Sequence, residues 1–259
     1  MSNAISHPVH ILITGASSGI GAALADVYAG PGIRLALSGR DMGRLEAVAV
    51  RCRSRGAEVI PKVLDVTDRD ATADWIAEQN QDAQSPLDLV IANAGISAGM
   101  GGDGETHAQA RAIFDTNMTG VLNTCQPAMD AMIGRGRGQL AIMASLAAFR
   151  GFPGAPAYCA SKAAARVWGE SLRPHLAAQG VGMSVICPGF VRSRMTAVND
   201  FPMPFLMDAD KAARIIRRGL DRDKARIAFP WQLAAAVWLL SALPPAWTDA
   251  AMRRLPEKT

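Results

Sequence analysis

The sequence predicts a doubly wound α/β fold, with a parallel sheet covered on both faces by helices. Three observations predict it: apolar runs of strand length recur along the chain, helix-length stretches separate them, and the runs are continuously apolar instead of alternating. Alternation marks a sheet with one wet face, whereas a strand covered on both faces has no polar side to show. Strands and helices taking turns along one chain are the pattern of a three-layer α/β/α sandwich. A chain of 259 residues suits one such domain, and no internal repeat or low-complexity segment divides it.

The elements follow in order. Val9 to Thr14 is the first strand candidate, followed by a glycine-rich turn and a helix over Ala22 to Tyr28. Arg34 to Ser38 and Glu58 to Leu64 are the next strands, each leading into a helix, Met42 to Ser54 and Arg69 to Gln79. Leu87 to Ala92 precedes a long helix over Ala108 to Met132, and Gly138 to Ala144 precedes another over Tyr158 to Gln179. Gly182 to Cys187 is the sixth strand. Beyond it the chain changes character. An apolar, proline-broken stretch, Phe201-Pro202-Met203-Pro204-Phe205, is followed by a basic helix from Asp208 to Gly219 and a short strand over Ala225 to Phe229. Trp231 to Leu243 is apolar almost all round and shorter than the ~20 residues of a membrane span. The expectation for such a helix is burial, on the core or on another subunit; contact with a membrane surface is the alternative.

Composition excludes several classes of function. About half of the residues are apolar (49%) and 19% are charged, which fits a folded globular enzyme and not a disordered chain. A net charge of +4, with Lys and Arg scattered apart from the small cluster of Arg214, Arg217 and Arg218, gives no electrostatic footprint for nucleic acid. Cys52, Cys125, Cys159 and Cys187 are too far apart for a zinc site or a C-x-x-C centre, so reduced thiols and no metal are expected. The apolar run at Val9 to Ile13 is too short for a secretory leader, and a cytoplasmic location is expected.

Directly after the first strand stands Thr14-Gly15-Ala16-Ser17-Ser18-Gly19-Ile20-Gly21, opening a helix. Such a turn brings backbone amides close to a pyrophosphate at the helix N-terminus, where the helix dipole favours negative charge. Its Gly-x-x-x-Gly-x-Gly spacing resembles the short-chain dehydrogenase/reductase family in its single-domain, Rossmann-type branch. The resemblance covers roughly residues 9 to 196 and includes Leu64-Asp65-Val66, Asn93-Ala94-Gly95, Asn117, Ser145, Tyr158-Cys159-Ala160-Ser161-Lys162 and Pro188-Gly189. Ala92 departs from the usual asparagine and Ser193 from a frequent threonine.

The resemblance implies a nicotinamide cofactor held by Gly15, Ser17, Ser18, Gly19, Ile20 and Gly21. It adds Asp65 and Val66 at the adenine, Asn93, Ala94 and Gly95 beside the ribose, and Pro188, Gly189, Val191 and Ser193 toward the carboxamide. A helix N-cap is the competing role for Asp65, with Thr67 and Asp68 as rivals for it. In this fold an acidic residue ending the second strand binds the adenosine 2′-hydroxyl and repels a 2′-phosphate. Here Gly39 occupies that position and Arg40 follows, its guanidinium suited to a phosphate. The expected cofactor is therefore NADP (NADPH), with NAD second.

Tyr158 and Lys162 lie four apart and share one face of a helix. A free phenol titrates near ~10, and a neighbouring ammonium is expected to lower that value and make Tyr158 a working acid/base. Ser145 ends the fifth strand and is expected to donate to a substrate oxygen; no histidine is placed to make it a nucleophile. Asn117 is a poor helix former inside the long helix, and the resemblance assigns it a local kink and a proton relay to Lys162. The resemblance also has Lys162 bond the nicotinamide ribose.

Residues 190–210 are expected to form a substrate lid, whose Phe201, Met203, Phe205, Leu206 and Met207 suit an apolar carbonyl or alcohol substrate. Residues 230–259 form an apolar C-terminal extension in place of the glycine-rich ending of many tetrameric relatives, so a homodimer through the long helices around Asn117 and Tyr158 is expected. The competing reading is a catalytically weak cofactor sensor or scaffold of the same fold.

Overall fold

A computed structural model of the chain describes residues 5, 7–97, 105–199 and 201–252. Seven strands form one sheet in the order β3-β2-β1-β4-β5-β6-β7, where β1 is His10–Ile13, β2 Arg34–Gly39, β3 Glu58–Val63, β4 Leu89–Ala92, β5 Gly138–Met143, β6 Val181–Pro188 and β7 Arg226–Phe229. Every pairing is parallel. The strand order reverses between β1 and β4, so the crevice for a ligand opens at their carboxyl ends.

Helices α1 (Gly19–Tyr28), α2 (Met42–Arg53) and α8 (Ala209–Leu220) cover one face, and α3 (Arg69–Gln79), α5 (Gly120–Arg135) and α6 (Pro156–Ala178) the other. Ile11, Ile13, Leu35 and Leu37 point into the first layer, while Leu12, Ala36, Val90 and Ile142 point into the second. Period-two strand geometry thus supplies two cores from one set of apolar runs. Caps punctuate the helices: Asp41 accepts from the Arg44 amide at 2.9 Å, Asp68 from Ala71 at 3.0 Å, and Gly136 ends α5 at φ 65°. The four cysteines are buried free thiols.

Two expectations change. The helix read as continuous over Ala108 to Met132 is α4 (His107–Phe114), a π-turn over Asp115–Thr119, and α5. The π-turn rotates Asn117 inward, where it is fully buried. The apolar C-terminal helix, α9 (Trp231–Ala242), covers a small third core of Ala144, Leu146, Val185 and Cys187 through Val237, Leu233 and Ala234. It is only half covered: Trp231, Trp238 and Leu239 are exposed. A further helix, α10 (Pro245–Met252), follows. A short helix α7 (Arg194–Ala197) follows Val191, and Val191 pairs with Met207.

Candidate active site

The glycine turn between β1 and α1 is held by side chains from β4. Asn93 donates through Nδ2 to the carbonyls of Thr14 at 2.9 Å and Gly15 at 3.2 Å. The Thr14 hydroxyl accepts from the amides of Asn93 and Ala94. Gly15 lies at φ +65°, and a Cβ there would stand 2.7 Å from the Ala94 Cα. A Cβ on Gly21 would stand 2.4 Å from the Gly15 carbonyl oxygen and 2.5 Å from Asn93 Nδ2. Gly21→Ala is expected to destabilise the fold by about 1–3 kcal/mol, as overpacking does, and to weaken cofactor binding. Urea unfolding followed by a cofactor titration checks both, and an unchanged midpoint would remove the packing argument. Ser18 begins α1 without a side-chain cap, leaving the first-turn amides available to an anion.

A cleft of about 290 Å³ runs from this turn along the carboxyl ends of the strands. Of the residues predicted for catalysis and cofactor binding, all but Asn117 line it, whereas Phe201, Met203, Phe205, Leu206 and Met207 do not. At one end it is bounded by Ser17, Gly39, Arg40, Asp65 and Val66, at the other by Ser145, Tyr158, Lys162, Pro188, Gly189, Val191 and Ser193. Gly39 packs against Ser17, whose Cβ and Oγ would lie 3.0 Å from any Cβ at position 39. Arg40 is 64% exposed and only loosely tied, its Nη1 4.0 Å from the Asp65 carboxylate. Asp65 closes a local turn with the Thr67 amide and hydroxyl at 3.0 and 2.9 Å, and Asp68 caps α3, which settles the rival cap role. Ser193 caps α7 in a reciprocal pair with Thr196.

At the other end, Tyr158 occupies the first turn of α6 and Ser145 caps the turn that follows β5, and both line the cleft. Lys162 is buried and donates to the Met143 carbonyl at 2.8 Å, with Nζ 6.0 Å from the centre of the Tyr158 ring. A Cβ on Gly95 would lie 3.1 Å from both Lys162 Nζ and Asn117 Oδ1, so the bare backbone of Gly95 lets these groups converge. Asn117 stands behind the cleft wall, accepting from the Ile96 amide at 2.8 Å and donating to the Ile96 carbonyl at 2.9 Å and Ser161 Oγ at 3.1 Å. Ser161 Oγ in turn donates to the Tyr158 carbonyl at 2.9 Å. Asn117 thereby fixes both the wall and α6.

Burial pushes the Tyr158 phenol above its ordinary range, and the Ser145 hydroxyl pulls it partly back. Burial also lowers Lys162 to about 8. The expectation that Lys162 lowers the phenol's pKa is corrected: burial raises it, and the ammonium donates to the Met143 carbonyl.

Two residues missed in the sequence stand out. Arg44 reaches the cleft near Arg40, bonded to Asp41 at 2.6 Å. An Asp-x-x-Arg pair at the start of a helix reads as an ordinary cap, so nothing marked it. Glu105 accepts from the Ala157 amide at 3.1 Å, supplying the cap that Ala155 cannot give α6. That contact joins distant segments and leaves no local signature.

A family model described as short chain dehydrogenase matches residues 9–201. An uncharacterized oxidoreductase of Myxococcus xanthus is 43% identical over 94% of this chain and 96% of its own. One from Mycobacterium tuberculosis is 36% identical over 92% and 95%. Among solved structures, a short-chain dehydrogenase from Sphingobium yanoikuyae in complex with NADPH superposes with a TM-score of 0.80 at 25% identity, covering 96% of this chain and 97% of that one.

Proposed function

The chain belongs to the short-chain dehydrogenase/reductase family, and on that premise we propose that it interconverts a carbonyl and an alcohol on an apolar substrate with NADPH. The observation that carries this reading is the convergence of Ser145, Tyr158 and Lys162 at one end of a cleft whose other end offers the glycine turn, Arg40 and Arg44. The cradle fits a dinucleotide: Gly15, Gly21 and Gly95 leave open the approaches that a Cβ would narrow or block. The cofactor, when bound, carries the hydride.

The side chains handle the proton and the developing charge. A carbonyl oxygen entering between Ser145 and Tyr158 accepts a hydrogen bond from each. Tyr158 then delivers its proton to the oxygen, and Ser145 stabilises the negative charge before the proton arrives. Lys162, braced through the Gly95 and Asn117 wall, bonds the nicotinamide ribose and supplies positive charge to the phenolate. The apolar substrate is supported by the lid, where the Phe190 and Phe201 rings meet edge to face at 6.0 Å, and by Ile96, Met143 and Met195 on the cleft wall.

A panel of aliphatic and cyclic carbonyls with NADPH and NADH tests the reading; no turnover with any of them would favour the scaffold alternative. Phe114 and Val167 stand exposed on α4 and α6, and a homodimer across these helices is the proposed assembly. Light scattering is expected to give twice the 27.3 kDa chain mass, and a stable monomer would remove it.

A further inference from the structure

We propose that the C-terminal helices seat this protein on a lipid surface bearing anionic head groups. From Ile227 to Thr248 the sequence contains no charged residue. Helix α9 turns Leu233, Ala234 and Val237 inward and leaves Trp231, Ala235, Trp238, Leu239 and Ala242 outside. These outward residues follow helical spacing, so they form one continuous apolar stripe. Trp247 on α10 adds a third exposed indole, 75% accessible. Three of the chain's five tryptophans thus stand in water on adjacent short helices, the arrangement opposite to burial.

The choice of occupant follows from size, composition and charge. α9 is twelve residues, about 18 Å long, and a copy laid along it would cover only a few hundred Å², short of the ~800 Å² per partner of a standard interface. A lipid surface has no such threshold, because each indole inserts independently at the head-group level that tryptophan prefers. Among the described residues no helix is long and apolar enough to cross a membrane, so the helices lie on the surface. Basic residues outnumber acidic ones on both flanks of the apolar stretch: Arg222, Lys224 and Arg226 against Asp221 and Asp223 before it, and Arg253, Arg254 and Lys258 against Asp249 and Glu257 after it. That excess of positive charge suits anionic head groups. Gly189, in the cleft wall, has Leu233 of α9 and Pro230 against it, so the seated helix backs directly on the site. The proposal stands on the surface alone and does not depend on the redox reading.

The test uses the full chain and vesicles of phosphatidylcholine with and without phosphatidylglycerol, in flotation and in tryptophan quenching by brominated lipid. Co-flotation with the phosphatidylglycerol vesicles and quenching of part of the emission are expected. Each of Trp231→Ser, Trp238→Ser and Trp247→Ser is expected to weaken partitioning by about tenfold. Their unfolding midpoints should stay unchanged, since the indoles are exposed. Failure to float with either vesicle would overturn the proposal, as would flotation unaffected by the three substitutions together. Equal binding to both vesicle types would overturn the choice of anionic lipid. Self-association in solution that the same substitutions abolish, without vesicle binding, would assign the stripe to a second copy instead.

Discussion

Replacing Tyr158 by phenylalanine is expected to lower carbonyl reduction by about 10²- to 10⁴-fold, the usual contribution of a positioned general acid. The substitution removes one oxygen and keeps the ring, so α6 and its packing stay in place. Ser145 retains its hydrogen bond from the Ala147 amide at 3.1 Å, and Lys162 its bond to Met143. Cofactor affinity should therefore be nearly unchanged, and a titration of cofactor fluorescence separates lost chemistry from lost folding. Turnover that survives the change would sink the assignment of Tyr158 as the proton donor.

The same argument fixes the sign of the pH dependence. Reduction needs the protonated phenol, and burial raises the Tyr158 phenol from its ordinary range, so the reductive rate should be level with respect to this group through neutral pH and fall in the alkaline range. Oxidation needs the phenolate and should rise with pH. Lys162, lowered to about 8 by burial, binds fewer protons in the folded chain than in the unfolded one between about 8 and its ordinary value of 10.5. Its contribution to stability therefore rises with pH across that window. Bound nucleotide that bonds the ammonium would pull the lower limit upward.

How much of this was legible depended on the range of the contact. Strand positions were recovered to within a residue or two because a doubly covered strand shows itself in its own composition; Arg69 to Gln79 matched α3 outright because a cap and an apolar face are local. Tyr158 and Lys162 were legible for the same reason, four residues apart on one helix. The π-turn at Asp115–Thr119 was foreshadowed only by the kink the resemblance gave Asn117, not by periodicity, because the carboxamide held there bonds Ile96 and Ser161, partners set by the fold. The tie from Lys162 to Met143 was hidden likewise. Asn93 lines the cleft as expected, yet it also braces the glycine turn, a task visible only once β1 and β4 lie side by side. For α9, an all-apolar composition could not say which half of the helix the core would take.

Removing the two guanidiniums at the adenosine end is the substitution expected to redirect the choice of nucleotide. Arg40→Ala should raise the KM for NADPH by about tenfold and leave that for NADH nearly unmoved. A charge-assisted hydrogen bond contributes about 1.5–3 kcal/mol, and the low end applies because the side chain is 64% exposed and screened. Arg44→Ala should add a smaller step, since Asp41 holds that guanidinium at 2.6 Å and competes with a phosphate for it. The double variant should prefer NADH, and in the native chain added salt should narrow the preference for NADPH because both charges face solvent. Introducing an acid instead, as Gly39→Asp, is a poorer route: its Cβ would press on Ser17 at 3.0 Å and disturb the phosphate turn itself. The ratio of kcat/KM for the two nucleotides, measured at low and high salt in each variant, decides the matter. A native chain that prefers NADH, or an NADPH constant unmoved by the double change, would show that these arginines do not read the 2′-phosphate.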